Sequence, residues 1–326
     1  MSNETNKGIL VIAEQNSGKV HRVSYELLGK GRELALAHGC QLAAVIAAPA
    51  ECDISELAHR GADKVYHLKS DEFADHEELL FASALTDFIG EMKPEVILVG
   101  ATNFGRSLAP RVAAELGIGL TADCTELVFD EDGEFVQVRP AFSDNILAHI
   151  KSVEKPCMCT VRYKEFPEAD HSEEACEIIE KDVKGKIDCR SVVLEKRSEF
   201  SESISDATVV VAGGRGVKNK EDMTLLQELA DLIGGTVGAS RALVDAGIAL
   251  SAQQVGYSGN RVKPDVYIAC GISGAPQHLA GMKESGKIIA INSDASAPIF
   301  SVADIGYVGD LYQVIPKLIE EIKAAR

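Results

Sequence analysis

Uninterrupted apolar runs alternate with stretches of helical period through the first half of the chain. GILVIA (8–13), LAAVIAA (42–48), KVYHL (64–68) and EVILVG (95–100) read as strands. Residues 22–38, 53–60, 76–92 and 106–116 carry apolar positions at helical spacing. Strands that are apolar on nearly every residue, separated by helices, belong to a parallel sheet covered on both faces. From about Cys124 the rhythm changes. ELVFDEDGEFVQVRP reads as a hairpin around Glu131-Asp132-Gly133, with further short strands through CMCTVRY.

Residues 164–206 are charged and poor in aromatics. VKGKIDCRSVVLEK within them has room for one strand, but the flanks read as a linker. This predicts an N-terminal domain over 1–195, a linker over 196–206 and a second domain over 207–326. In the second domain ATVVVAGGRGV is a β-branched strand running into glycines. A helix follows, opening at Glu221-Asp222, and then come the strands in TVGASRALVDAG, DVYIACG and IIAIN, and a closing helix in LYQVIPKLIEEIK. The predicted fold class is α/β, with two doubly wound parallel-sheet domains.

Composition narrows the partners. The 326 residues hold 33 Lys and Arg against 50 Asp and Glu, a net charge of −17. That surface repels phosphate backbones and anionic lipid, which argues against nucleic-acid binding and membrane insertion. No window of about 18 uninterrupted apolar residues suggests a membrane span, and MSNETNKGILVIAEQ lacks the pattern of a signal peptide. A cytoplasmic protein is expected. The eight cysteines form no CxxC pair, Cys157 and Cys159 are read as pointing to opposite faces of a strand, and no HExxH occurs. The thiols are expected to pack as small hydrophobes, with no metal site.

Candidate chemistry concentrates after the linker. Gly213-Gly214-Arg215-Gly216 follows a strand, as a phosphate-cradling loop does, but it is neither G-x-G-x-x-G nor a P-loop. The later strands of this domain also end in small polar residues: Gly238-Ala239-Ser240-Arg241, Ile272-Ser273-Gly274 with Gln277 and His278 beyond, and Asn292. Such ends converge on one crevice in a parallel sheet, so a large polar ligand is expected there. Each residue also has a plain structural alternative. Ser240, Ser273 and Asn292 are suited to helix caps or turns, Arg241 and Asp245 to an i, i+4 ion pair, and His278 to an isolated hydrogen bond. No serine sits in a G-x-S-x-G elbow, which disfavours a hydrolase.

TVGASRALVDAG, QQVGYSG, ISGAPQHLAGM and INSDASAPIFSVADIGYVGDL together resemble the FAD domain of the electron-transfer flavoprotein alpha subunit, and RSLAPRVAAELGIGLTADCTEL resembles a segment of its N-terminal half. The resemblance implies a heterodimer with a beta subunit and one FAD in the alpha C-terminal domain. Carried onto this chain, the FAD-binding positions are Arg215, Ser240, Arg241, Val255, Gly256, Tyr257, Ser258, Ser273, Gly274, Ala275, Pro276, Gln277 and His278. Asn292, Asp310 and Leu311 complete the set on the dinucleotide side. Arg241 matches the arginine against the isoalloxazine ring, Ser258 the hydroxyl facing flavin N5, and His278 the histidine near the pyrimidine edge; these three are the expected redox-tuning residues. Tyr257 stands where many relatives carry glutamine, and Pro276 replaces an aliphatic residue, a change that a first helical turn accepts.

The expected function is that of an electron carrier rather than an enzyme on its own. It would shuttle electrons from an acyl-CoA dehydrogenase or another flavoprotein dehydrogenase to a downstream acceptor through an anionic flavin semiquinone. The alternative is the alpha subunit of an electron-bifurcating, NADH-oxidising complex with a second FAD in the beta subunit. A non-flavin nucleotide-binding protein leaves SGAPQH and GASR unexplained. Domain 1–195 is expected to serve as scaffold against the beta subunit, and segment 164–206 partly as a hinge for the FAD domain.

Overall fold

The computed structural model describes residues 8–16, 18–75, 78–141, 146–183 and 203–325. The chain divides into two compact units, Met1–Glu195 and Lys196–Arg326, each with its own cores.

In the first unit a seven-stranded sheet runs, edge to edge, Glu177–Asp182, Lys64–Lys69, Gln41–Ala48, Gly8–Ala13, Val96–Gly100, Cys157–Val161 and Leu120–Cys124. Every pairing within it is parallel. Gly8–Ala13 lies at its centre and is buried on both faces: Ile9 and Val11 join one core, Leu10 and Ile12 the other. The helices Val23–His38, Glu78–Met92 and Asn103–Leu116 cover these faces. The last begins three residues earlier than the apolar spacing indicates, because Thr102 caps it by accepting the Gly105 N–H at 2.9 Å. The expected hairpin forms, Glu126–Phe129 against Phe135–Ala141, and Ile146–Lys151 adds a third antiparallel strand.

Two expectations are corrected in this unit. Cys157 and Cys159 do not face opposite ways. Both pack in the core of Ile9 and Val11, and Met158 between them packs in the other, since side chains two apart on a strand share a face. The linker-like reading of 164–206 fails over its described first part. Glu177–Asp182 is an edge strand beside Lys64–Lys69, tied by Lys69 Nζ to Glu180 at 2.7 Å. The Lys164 main-chain N–H donates to the buried Glu26 carboxyl at 2.8 Å, and the Ala169 N–H donates to the Tyr25 carbonyl at 2.9 Å. Residues 164–182 therefore belong to the first unit and not to a hinge. The possible strand in VKGKIDCRSVVLEK and linker residues 196–202 lie outside the described residues, as does Cys189. The other seven cysteines are free thiols, five of them buried.

The second unit is a five-stranded parallel sheet in the order Thr236–Ala239, Val209–Gly213, Val266–Cys270, Lys287–Asn292, Ile305–Val308. Counted along the unit this is 2-1-3-4-5, a doubly wound order whose direction of winding reverses between Val209–Gly213 and Val266–Cys270. Helices Met223–Ile233 and Leu311–Ala324 pack against each other and the sheet. On the other face Tyr267, Ile288 and Ile204 share a core, so packing of this unit begins before Ala207. The strand Ile305–Val308 is not apparent in the sequence pattern: all four of its residues are exposed.

Candidate functional site

The winding reverses where the first and third strands of the second unit end, and loops are knitted together just beyond. The Gly214 N–H donates to the Cys270 carbonyl at 2.9 Å and the Ser240 N–H to the Gly213 carbonyl at 2.8 Å. The Val255 N–H reaches the Ala239 carbonyl at 2.8 Å, and the Tyr257 N–H the Gln277 carbonyl at 2.7 Å. These bonds continue the ladder past the strand ends and fix four loops around one hollow. Only glycine permits the closest approach: a Cβ on Gly214 would stand 2.4 Å from the Gly271 carbonyl oxygen.

The hollow is a cavity of about 400 Å³, within the range of small-molecule and cofactor sites. The structure brings Arg215, Ser240, Arg241, Val255, Gly256, Tyr257, Ser258, Ser273, Ala275, Gln277 and His278 together in its wall. Gly274 and Pro276 are not wall residues. Gly274 turns the chain at φ 88°, and Pro276 starts the short helix Pro276–Leu279. Asn292, Asp310 and Leu311 lie outside the wall as well. Asn292 donates to the Ile272 carbonyl at 2.8 Å, and Asp310 caps the closing helix through the Tyr312 N–H at 3.0 Å.

Three of the plain structural alternatives can be weighed here. Ser240 sits at the N-cap position of the helix Arg241–Asp245, yet its hydroxyl makes no cap bond. Its Oγ is buried and, among the described residues, without a hydrogen-bond partner, as is His278 Nδ1. The other nitrogen, Nε2, lies 2.9 Å from the Tyr267 hydroxyl. Burial lowers the His278 imidazole to about 4, partly countered by the Val255 backbone, so the ring is neutral at physiological pH. Arg241 does form the ion pair, Nε to Asp245 Oδ2 at 3.4 Å, with both side chains well exposed. A surface pair of this kind holds its partners weakly.

Orphaned buried polar atoms in a cavity wall are costly unless a ligand completes them. Two arginines against one carboxylate, Asp245, leave the wall a net positive charge in a chain of net charge −17, which adds a preference for an anionic ligand. The donor set, with polar groups at the winding reversal of a 2-1-3-4-5 sheet, fits a flavin dinucleotide. Sequence reasoning had not named Ala242 or Gln254 for this wall, nor Tyr267 behind it. For Tyr267 a signal existed: a phenol on an otherwise apolar buried strand needs a polar partner. Among the described residues no group of three or more His, Cys, Asp or Glu is placed to hold a metal ion, and no helix is long and apolar enough to cross a membrane.

Fold and site together define a two-unit α/β protein with a dinucleotide-type crevice in its second unit. Residues 9–186 match the electron transfer flavoprotein domain, and residues 203–283 the electron transfer flavoprotein FAD-binding domain. An electron transfer flavoprotein subunit alpha from Thermoanaerobacterium thermosaccharolyticum is 45% identical over 97% of this chain and 98% of its own. One from Megasphaera elsdenii is 47% identical over 97% and 96%. The lactate dehydrogenase (NAD(+),ferredoxin) subunit LctC of Acetobacterium woodii is 44% identical over 97% of this chain and 77% of its own. The chain belongs to the electron transfer flavoprotein alpha-subunit family; its cofactor is FAD, and as an alpha subunit it pairs with a beta subunit.

Proposed function

We propose that the flavin ring of FAD occupies the cavity of the second unit and that the protein carries electrons between a flavoprotein dehydrogenase, such as an acyl-CoA dehydrogenase, and a downstream acceptor. The observation that carries this reading is the pair of partnerless buried atoms, Ser240 Oγ and His278 Nδ1, in a wall that also holds Arg241. Bound FAD supplies a ring that takes up one or two electrons. Arg241 offsets the negative charge that reduction brings to the pyrimidine half, while the Ser240 hydroxyl and the neutral His278 ring offer hydrogen bonds without adding charge. Ser258 and the backbone of Val255 to Tyr257 line the opposite loop, and Arg215 extends positive charge toward the phosphates. Tyr257 is 57% exposed with the Arg261 guanidinium 5.3 Å from its ring centre, so it forms a stacked rim in place of an amide contact. Asn292, Asp310 and Leu311 serve the dinucleotide end through the loops they brace.

A second reading is an electron-bifurcating complex that oxidises NADH with a second FAD in the beta subunit. The likeness to a subunit of a lactate dehydrogenase (NAD(+),ferredoxin) favours it. One experiment separates the two: co-purify the chain with its beta subunit, count FAD per heterodimer, and add NADH. One FAD and no reduction by NADH supports the carrier; two FAD with reduction supports bifurcation. A heterodimer without flavin absorbance would refute both. FAD ordered chiefly by residues before 195 would move the site out of the second unit.

A further inference from the structure

The Tyr267 hydroxyl has the His278 imidazole as its hydrogen-bond partner, Nε2 at 2.9 Å, and both side chains are buried. Which of the two donates follows from satisfying the pair. If Nε2 carried the proton and donated to the phenol oxygen, the phenol proton would be left in the core without an acceptor. Tyr267 belongs to an apolar core shared with Ala212, Ala269 and Ile288, so this arrangement would cost a buried unsatisfied donor. If the phenol donates, Nε2 accepts, and the single proton of the neutral ring sits on Nδ1. Among the described residues that nitrogen has no partner at hydrogen-bond geometry, and it belongs to a residue of the cavity wall. Burial keeps the phenol far above its ordinary titration range, so it stays a donor throughout.

We propose that Tyr267 is a positioning residue that fixes the tautomer of His278, holding the proton on Nδ1 and presenting to the flavin a neutral N–H donor. The proposal rests on the reading that the flavin occupies this cavity. Its physical content is a division of labour in the wall. Arg241 contributes charge, while His278 contributes direction without charge, because its acceptor nitrogen is already taken. A histidine free to exchange tautomers would present a lone pair part of the time, repelling the electron-rich carbonyl edge of the ring. The other charged groups of the wall, Arg215, Arg241 and Asp245, belong to loops and a short helix beyond the strands that bury the pair. The Val255 backbone also bears on the ring and favours a protonated nitrogen; the phenol is the side chain in direct contact that decides which nitrogen carries the proton.

The test is nitrogen NMR on the full chain in its heterodimer, labelled at the histidine ring nitrogens, with Tyr267→Phe beside the wild type. His278→Gln assigns the signal. In the wild type the His278 pair is expected to show a protonated Nδ1 and an unprotonated Nε2. In Tyr267→Phe, which keeps the ring and removes only the hydroxyl, the proton is expected on Nε2 or shared between both nitrogens. FAD is then expected to bind about 5-fold more weakly, the loss of roughly one net hydrogen bond. A wild-type ring protonated at Nε2 overturns the proposal, and so does an Nδ1 proton unmoved in Tyr267→Phe. The wild-type spectrum decides even if the variant folds poorly. Flavin absorbance reports separately on occupancy: a heterodimer lacking flavin would refute the underlying reading while leaving the tautomer measurable.

Discussion

Arg241 and Ser240 are adjacent in the chain and differ in what their loss exposes. The Arg241 side chain is 70% exposed and, among the described residues, ion-paired with Asp245, so Arg241→Ala leaves the fold intact. Its charge acts where reduction adds an electron. A cation about 4 Å away in a medium of effective dielectric ~20 interacts by about 4 kcal/mol, and even a quarter of that shifts a one-electron potential by ~40 mV. Potentiometric titration of Arg241→Ala is therefore expected to show the first potential lowered by tens of millivolts, with Arg241→Lys recovering part, since an ammonium lacks the planar fork. An unchanged potential with FAD bound would reduce Arg241 to a surface ion pair. Ser240→Ala removes a buried hydroxyl that has no hydrogen-bond partner among the described residues. FAD titration is expected to show affinity reduced about 5-fold, while the FAD-free protein melts no lower. A lower melting temperature with unchanged affinity would make Ser240 a structural cap.

At the scale of elements, the loops hold their shape through contacts that leave no space. Gly274 turns at φ 88°, and a Cβ there would stand 2.2 Å from the Ile299 nitrogen, whose N–H donates to the Ser273 carbonyl at 3.0 Å. Gly274→Ala is expected to destabilise the second unit by about 2–3 kcal/mol and to leave the first unit's melting transition in place, as calorimetry resolves. The elements that sequence reading finds and those it misses divide along burial. Gly8–Ala13, Gln41–Ala48 and Val96–Gly100 are covered on both faces, so every residue is apolar and the strands stand out. Ile305–Val308 is a sheet edge exposed on both sides and Glu177–Asp182 one half-buried only at Ile179 and Lys181, so neither EIIEKD nor IGYV carries a continuous apolar run. The site shows the same division. The polar strand ends mark the crevice because the parallel fold must converge there, whereas the Tyr267–His278 contact joins residues from a strand and a later helix. Local pattern shows that the phenol needs a polar partner but not that His278 supplies it.

Across the whole molecule the two units carry opposed buried titrations, and the signs follow from which state holds the proton. Glu26 is buried in the first unit, and desolvation raises its carboxyl to about 8, with the Lys164 N–H offsetting part. Between about pH 4.5 and 8 the unfolded chain releases a proton that the folded unit keeps. Stability contributed here is thus full below 4.5 and lost as pH rises. His278 behaves inversely: with the folded ring at about 4, the unfolded chain takes up a proton that the folded unit refuses. The second unit therefore loses stability as pH falls from about 6.5 toward 4. Burial also lowers His67 in the first unit, so single-site variants are needed to separate the slopes. Glu26→Gln keeps an acceptor for the Lys164 N–H. Its melting temperature relative to wild type is expected to climb between pH 5 and 7.5 by up to about 1.4 kcal/mol per pH unit, or ~3 °C. His278→Gln is expected to gain on wild type in the opposite direction, from pH 6.5 down to 4.5, in the transition of the second unit alone. Comparing each variant with wild type across pH cancels any fixed loss of packing. Parallel lines for both variants would show that neither group is held away from its ordinary ionisation by the fold.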